Sequence, residues 1–306
     1  MAESQGVNGD IWNDHAVKLM ELFGWDHIGD KNMDLPGSDG REYGVDAIML
    51  GETPQLDVFQ TCVLESKRYS TQSISQFVLK KWIETLRKKL ELLSNSPELY
   101  EEFPALLEGS NANLGVIMCW VHDAANEEYF EDTFNGLLRN CIINTQPNKM
   151  SSKRIVVFSN PKIIRLAAIA EKIKKHPDDY NFVYPSQLLG DKPMVKSNVL
   201  SIEYAMSDFI LAERKRDDKI QNIVFFTGKI SSLAFQCLYD ALLMYNFIEK
   251  GKEVIIYYYG TQIENRLALA EGKRIFKGID PKFISLNSLN PTSEPAILSI
   301  SDDDDE

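Results

Sequence analysis

Apolar residues recur at helical spacing through Trp12, Val17, Leu19, Met20 and Phe23, and Gly24 follows where a left-handed cap closes a helix. The pattern predicts a first helix with Asp10 as its N-cap. A Gly- and Asp-rich stretch over 30–40 reads as a loop. Extended segments follow over 42–50 and 57–65, joined by Gly51-Glu52-Thr53-Pro54, which is a hairpin signal. From 73 to 93, Ile74, Phe77, Val78, Trp82, Leu86 and Leu90 fall on one helical face, with Lys80, Lys81, Arg87 and Lys88 off it. This is a long amphipathic helix with a basic flank. Residues 115–121 and 154–158 are short apolar runs of the buried-strand kind, the second followed by a helix over 161–175. From about 197 the pattern restarts with a helix, then strand 223–226, helix 232–249, strand 253–259, helix 262–276 and an extended piece over 283–286. Such alternation predicts a parallel, three-layered α/β unit. A boundary is expected near residue 195, at Gly190-Asp191-Lys192-Pro193.

Composition narrows the setting. With 306 residues, 44% hydrophobic and 25% charged, the chain has globular composition and the length for two modest domains. Cys62, Cys119, Cys141 and Cys237 lie far apart, mostly in apolar runs, and read as buried thiols rather than a disulfide frame or zinc site. Apolar runs are too short for a membrane span and the N-terminus lacks a basic-then-apolar signal, so a soluble, cytoplasmic protein is expected. The net charge of −12 argues against nucleic-acid binding by the surface at large. Its distribution changes that picture. Residues 302–306 are all acidic and read as a solvated, disordered tail, whereas 67–91 hold seven Lys or Arg against two Glu.

The basic segment directly follows Glu65-Ser66-Lys67. An acid two residues before a lysine recurs at Glu213, Asp217, Glu271 and Asp280, so the pattern alone decides nothing. Those four fall in predicted helices, a charged run, or beside Pro281, and read as surface charge. Glu65 and Lys67 instead end a predicted apolar strand, where a period of two turns both side chains the same way. The preceding strand carries an acid in Tyr43-Gly44-Val45-Asp46-Ala47-Ile48-Met49. Two carboxylates suit a hard divalent cation, which neutralises a phosphate and acidifies water. A neighbouring ammonium can position that water and stabilise charge gathering on the phosphate. The plain alternative is a cross-strand ion pair on a solvated sheet face.

These residues resemble the PD-(D/E)xK, or restriction-endonuclease-like, superfamily, in which a helix precedes a hairpin bearing Asp, then (Asp or Glu)-x-Lys, then a helix. The likeness covers roughly residues 10–175 and rests on Gly44-Val45-Asp46 followed nineteen residues later by Glu65-Ser66-Lys67. It implies an αβββαβ core with a mixed sheet over 1–195, followed here by a Rossmann-like α/β unit over 196–295 for regulation or assembly and the acidic tail over 296–306. It further implies a hydrolase, an endodeoxyribonuclease using Mg²⁺ or Mn²⁺. Asp46, Glu65 and the main-chain carbonyl of Ser66 would hold metal, and Lys67 would serve the water. Val45 replaces the Pro of the family name. Many members carry a first-helix acid, for which Asp14 and Glu21 are alternatives here, with Asn13 and His15 as other polar candidates.

Arg68, Tyr69, Lys80, Lys81, Arg87 and Lys88 could line a phosphate backbone, Tyr69 offering a stacking face, or form a solvated helix face. Gln72 and Gln76 read either as contacts to the substrate or as an exposed helix start. Gln60 is core-adjacent or near the metal. The four histidines show no ligand spacing, and no Walker or Gly-x-Ser-x-Gly signature occurs. Thr227-Gly228-Lys229-Ile230-Ser231-Ser232 at a strand-to-helix turn is a plain turn or a nucleotide-phosphate site. The expected partners are DNA and either a second copy or a second protein of an anti-phage defence system. The rival reading is a non-catalytic assembly protein that keeps the nuclease fold.

Overall fold

A computed structural model describes residues 7–54, 58–124, 127–144, 153–176, 179–185, 194–216, 219–248, 252–263, 265–278 and 284–289. The expected linker at 190–193, the acidic tail, Asp217 and Asp280 lie outside them.

Helix α1 (Val7–Glu21) buries Trp12, Ala16, Val17, Leu19 and Met20, and Gly24 adopts φ +82° just beyond its end. Asp10 lies inside α1 rather than capping it. Short strands β1 (Asp26–Ile28), β2 (Met33–Pro36) and β3 (Glu42–Val45) follow, and β2 pairs β3 in a separate antiparallel ribbon. The expected strand over 42–50 is therefore broken at Asp46, which separates β3 from β4 (Ala47–Thr53). Gly51 to Thr53 are strand residues, not turn. Strand β5 (Val58–Tyr69) runs antiparallel to β4.

Helix α2 (Gln76–Leu93) begins after Ser75, whose hydroxyl accepts the Val78 N–H at 3.3 Å, a regular N-cap. Its buried stripe is Leu79, Leu86, Leu90 and Leu93. Phe77, expected on that stripe, is 77% exposed instead. Helix α3 (Pro97–Glu102), strand β6 (Gly109–Val121), helix α4 (Glu127–Asn144) and strand β7 (Arg154–Phe158) complete a five-stranded sheet ordered β1-β4-β5-β6-β7. Strands β5, β6 and β7 are parallel while β1 and β4 run antiparallel, the expected mixed sheet. α4 was not anticipated from the sequence.

The chain divides into two compact units between Ile164 and Arg165, within α5 (Asn160–Lys174). The second unit takes in β8 (Tyr180–Tyr184), β9 (Val195–Ser197), α6 (Ile202–Ala205), β10 (Phe209–Arg216) and β11 (Lys219–Phe226). It continues with α7 (Ser232–Met244), β12 (Glu253–Tyr259), α8 (Arg266–Ile275) and β13 (Ile284–Leu289). Its sheet is ordered β13-β12-β11-β10-β8-β9. The Rossmann-like part is β11, β12 and β13, mutually parallel and linked by α7 and α8; β10, β8 and β9 are antiparallel additions. The helix expected after 197 is only the short α6, and Phe209–Arg216 is a strand paired with β11 along its length. Glu213 and Lys215 thus also stand on a strand, and Glu213 pairs with Lys196 at 2.5 Å. Glu271 sits on α8 beside Arg274 at 3.5 Å.

Candidate active site

The site forms where the pairing of β4 with β5 stops. Ala47 is opposite Leu64 in the last cross-strand pair, so from Glu65 onward that edge of β5 is open. The other edge remains paired to β6, with Glu65 beside Ile117 and Lys67 beside Cys119. Asp46, at the break between β3 and β4, fills the opening: its Oδ2 accepts the Ser66 N–H in a short hydrogen bond. In an extended strand a residue's N–H and C=O point to the same edge. Ser66 therefore directs its carbonyl toward this opening as well.

Helix α1 supports the arrangement from behind. Trp12 donates its indole N–H to the Met118 carbonyl at 3.1 Å and stacks on Trp120, with ring centroids 5.4 Å apart. One residue on, buried Asn13 donates through Nδ2 to Asn32 Oδ1 at 2.9 Å and to the Asp46 carbonyl at 3.2 Å, while its Oδ1 accepts from Ser66 Oγ at 3.2 Å. The Asp46 carbonyl also accepts the Asn32 N–H at 3.0 Å, and Asn32 itself is in the left-handed region at φ +54°. The main chain of Asp46 is clamped, leaving its carboxylate directed at β5.

Glu65 is only 6% exposed, an expensive place for a carboxylate without partners. It has two. Lys67 Nζ lies 3.0 Å from Oε2 and Lys89 Nζ lies 2.5 Å from Oε1; Lys89 also donates to the Gly44 carbonyl at 2.5 Å. Lys89 was not singled out from the sequence. It reaches the cleft because α2 lies close over β6: a Cβ at Gly115 would meet Leu86 Cδ2 at 2.7 Å and Leu90 Cδ1 at 3.0 Å. The available signal was spacing, since Lys89 adjoins Leu90 and follows Leu86 by three.

Burial pushes the Asp46 carboxyl above the ordinary carboxylate range; Lys67 opposes the shift and Glu65 adds to it, while the Ser66 N–H and Lys89 oppose it more weakly. A buried carboxylate beside another is an environment that favours added positive charge. On β6 opposite Lys67, burial raises the Cys119 thiol to about 12, and Cys62 and Cys141 are buried as well. Cys237, expected to be buried, is exposed.

Asp46, Glu65, Ser66, Lys67 and Lys89 share a cleft of about 480 Å³ with Asn13. Asp10 lines it too, its Oδ1 3.5 Å from Asn32 Nδ2. The first-helix acid at the cleft is thus Asp10, and not Asp14, which pairs with Lys31 on the surface, or Glu21, which is exposed. Half-buried His15 packs near Trp12, with ring centroids 6.5 Å apart. Among the described residues no group of three or more His, Cys, Asp or Glu side chains gathers to hold a metal. The oxygens on offer are those of Asp46 and Glu65 with the Ser66 carbonyl, a donor set that fits a hard divalent cation rather than a soft metal.

The expected nucleic-acid contacts divide. Arg68 borders this cleft, and Tyr69 and Lys81 line the two that continue from it. Lys80 pairs with Glu84 at 3.7 Å, and Lys80, Arg87, Lys88, Gln72 and Gln76 line none of these three clefts. The Gln76 carbonyl accepts the Cys141 thiol at 3.4 Å. Gln60 is buried in β5 away from the cleft, on the core-adjacent side of its two readings. In the second unit the Thr227 and Gly228 N–H groups are both taken by the Asp208 carbonyl, at 2.8 and 3.2 Å, and a Cβ at Gly228 would meet Asp208 at 2.7 Å. That turn is closed against its own neighbour, which favours the plain-turn reading. No described helix is long and apolar enough to cross a membrane.

Residues 1–162 match the family model described as the GAPS4 protein PD-(D/E)XK nuclease domain. None of the curated proteins matches the chain. The chain belongs to this PD-(D/E)XK nuclease family, a defence-associated one, and its first unit is a nuclease domain.

Proposed function

We propose that this member of the defence-associated PD-(D/E)XK family is a divalent-metal-dependent endonuclease that hydrolyses phosphodiester bonds of DNA. The observation that carries the reading is the convergence of Asp46, Glu65, the Ser66 carbonyl and Lys67 on the edge of β5 left open by β4. Asp46 and Glu65 would hold Mg²⁺ or Mn²⁺ with the Ser66 carbonyl, and Asp10 borders the same cleft from α1. The ion, when bound, supplies charge neutralisation at the phosphate and acidifies water. Lys67, held 3.0 Å from Glu65, orients the attacking water and donates to the phosphate oxygens as negative charge gathers there. Asn13 acts as a positioning residue through the Asp46 carbonyl and the Ser66 hydroxyl.

Control by a partner, either a second copy or another defence protein, follows from charge. A chain at −12 binds a polyanion weakly in isolation, and the basic stretch over 67–91 is local. We assign the second unit to that control and place the protein in the cytoplasm. Incubating the purified chain, alone and with the product of a neighbouring gene, with circular DNA in Mg²⁺, Mn²⁺ or EDTA tests this. Nicked and linear products with either metal and intact circles in EDTA are expected. No cutting of DNA under any of these conditions would leave the assembly-protein reading.

A further inference from the structure

The catalytic cleft does not end at Lys67. A second cleft of about 290 Å³ shares Glu65, Lys67 and Lys89 with it and runs between β5 and α2 to Tyr69 and Trp82. A third, of about 700 Å³, shares Tyr69, Lys81 and Trp82 with the second and continues to Phe77. The three form one track on the surface of the first unit, leading from the candidate metal ligands along the N-terminal half of α2.

The track alternates cations with rings. Tyr69 and Trp82 sit with centroids 4.8 Å apart at 51°, an aromatic ledge half-open to the cleft, and Phe77 stands 77% exposed beyond it. A single exposed phenylalanine needs no explanation. One placed a helical turn from an exposed lysine, Lys81, in a cleft also lined by half-buried Tyr69 and Trp82, extends a stacking surface. Arg68 borders both the first and third clefts and adds a guanidinium charge between them.

We propose that this track binds an unpaired strand of DNA leaving the scissile phosphate, so that the substrate is single-stranded or frayed at the cut; the proposal rests on the nuclease reading of the site. In a duplex the faces of the bases are stacked on one another and cannot meet Tyr69, Trp82 or Phe77. An unpaired strand offers those faces, and its phosphates reach Arg68 and Lys81. Rings supplying stacking and interleaved cations supplying phosphate contacts is the chemistry of single-strand grooves.

Binding is measured by fluorescence anisotropy in EDTA, so that it is read without cleavage, on a labelled single strand and on the blunt duplex of the same sequence. The wild-type chain binds the single strand more tightly. Phe77→Ala and Trp82→Leu each weaken that binding about tenfold, the order a stacked base contributes. Leu267→Ala, which removes an 85% exposed apolar side chain from the second unit, binds as wild type. Equal affinity for duplex and single strand, or Phe77→Ala binding the strand as tightly as wild type, overturns the proposal. Because Phe77 is exposed, its removal leaves the fold intact even where Trp82→Leu does not. A chain that binds through the rings but cuts nothing with Mg²⁺ or Mn²⁺ upholds the track and sinks only the nuclease reading.

Discussion

Replacing Lys89 with Met keeps the aliphatic stem and removes the ammonium that holds Glu65 Oε1 and the Gly44 carbonyl, both at 2.5 Å. The Lys89 and Glu65 side chains are 17% and 8% exposed, so solvent does little to screen the pair or to replace it. Breaking a buried ion pair costs about 3–5 kcal/mol when the remaining charge has no other partner. Glu65 keeps Lys67, which reduces the loss, while the Gly44 carbonyl gains access to water only in part. The net destabilisation expected in EDTA is about 2–3 kcal/mol. The four tryptophans, Trp12, Trp25, Trp82 and Trp120, all belong to the first unit, so tryptophan fluorescence during urea unfolding reports on that unit alone. The variant also releases Glu65 Oε1 for a cation, so saturating Mn²⁺ stabilises Lys89→Met by more than it stabilises wild type. Unfolding within about 0.5 kcal/mol of wild type in EDTA, the scatter of an ordinary surface substitution, would refute the buried pair. An equal gain from Mn²⁺ in both proteins would refute the competition between Lys89 and metal for Glu65.

Asp46 and Gly115 provide two further tests. With its pKa raised by burial, Asp46 binds its proton more readily folded than unfolded, so the metal-free protein loses stability as pH rises from the ordinary carboxylate range through the raised value. Asp46→Asn removes that slope and stabilises the metal-free chain near neutrality, while the gain on adding Mn²⁺ disappears; urea midpoints at several pH values, with and without the metal, check both. Gly115→Val pushes against Leu86 and Leu90, lifts α2 and withdraws Lys89, at about 1–3 kcal/mol for overpacking; cutting falls with stability, whereas unchanged unfolding and cutting would show that α2 is not held by this contact.

How much of this was legible in the sequence depended on whether a signal was local. Asp46, Glu65 and Lys67 could be read because strand period and short spacing bring them together without reference to the rest of the chain. Lys89 could not, because its role depends on how closely α2 settles on Gly115, a contact between residues far apart in sequence. Asp10 reads as a cap because the periodic pattern opens at Trp12, two residues on; three earlier residues of low helical preference, Val7, Asn8 and Gly9, extend α1 and leave Asp10 lining the cleft. Phe77 fits the apolar period but precedes the buried stripe that starts at Leu79, and periodicity cannot say where along a helix its covering ends. The charged run Glu213 to Arg216 lies between the helix expected from about 197 and the strand expected at 223, with no strand signal of its own. As a strand it is held by pairing with β11 and β8, again a matter of tertiary contact overriding local preference.

The central claim is that Asp46, Glu65 and Lys67 together cut DNA, and one measurement bears on it most directly: single-turnover cleavage in Mn²⁺ by wild type, Glu65→Ala and Lys67→Ala, each first shown to be folded by tryptophan fluorescence. The account predicts that both variants lose at least about a hundredfold in rate, the size of effect seen when a group stabilising developing charge is removed. Cleavage by either variant at the wild-type rate would contradict it and place the chemistry elsewhere on the chain.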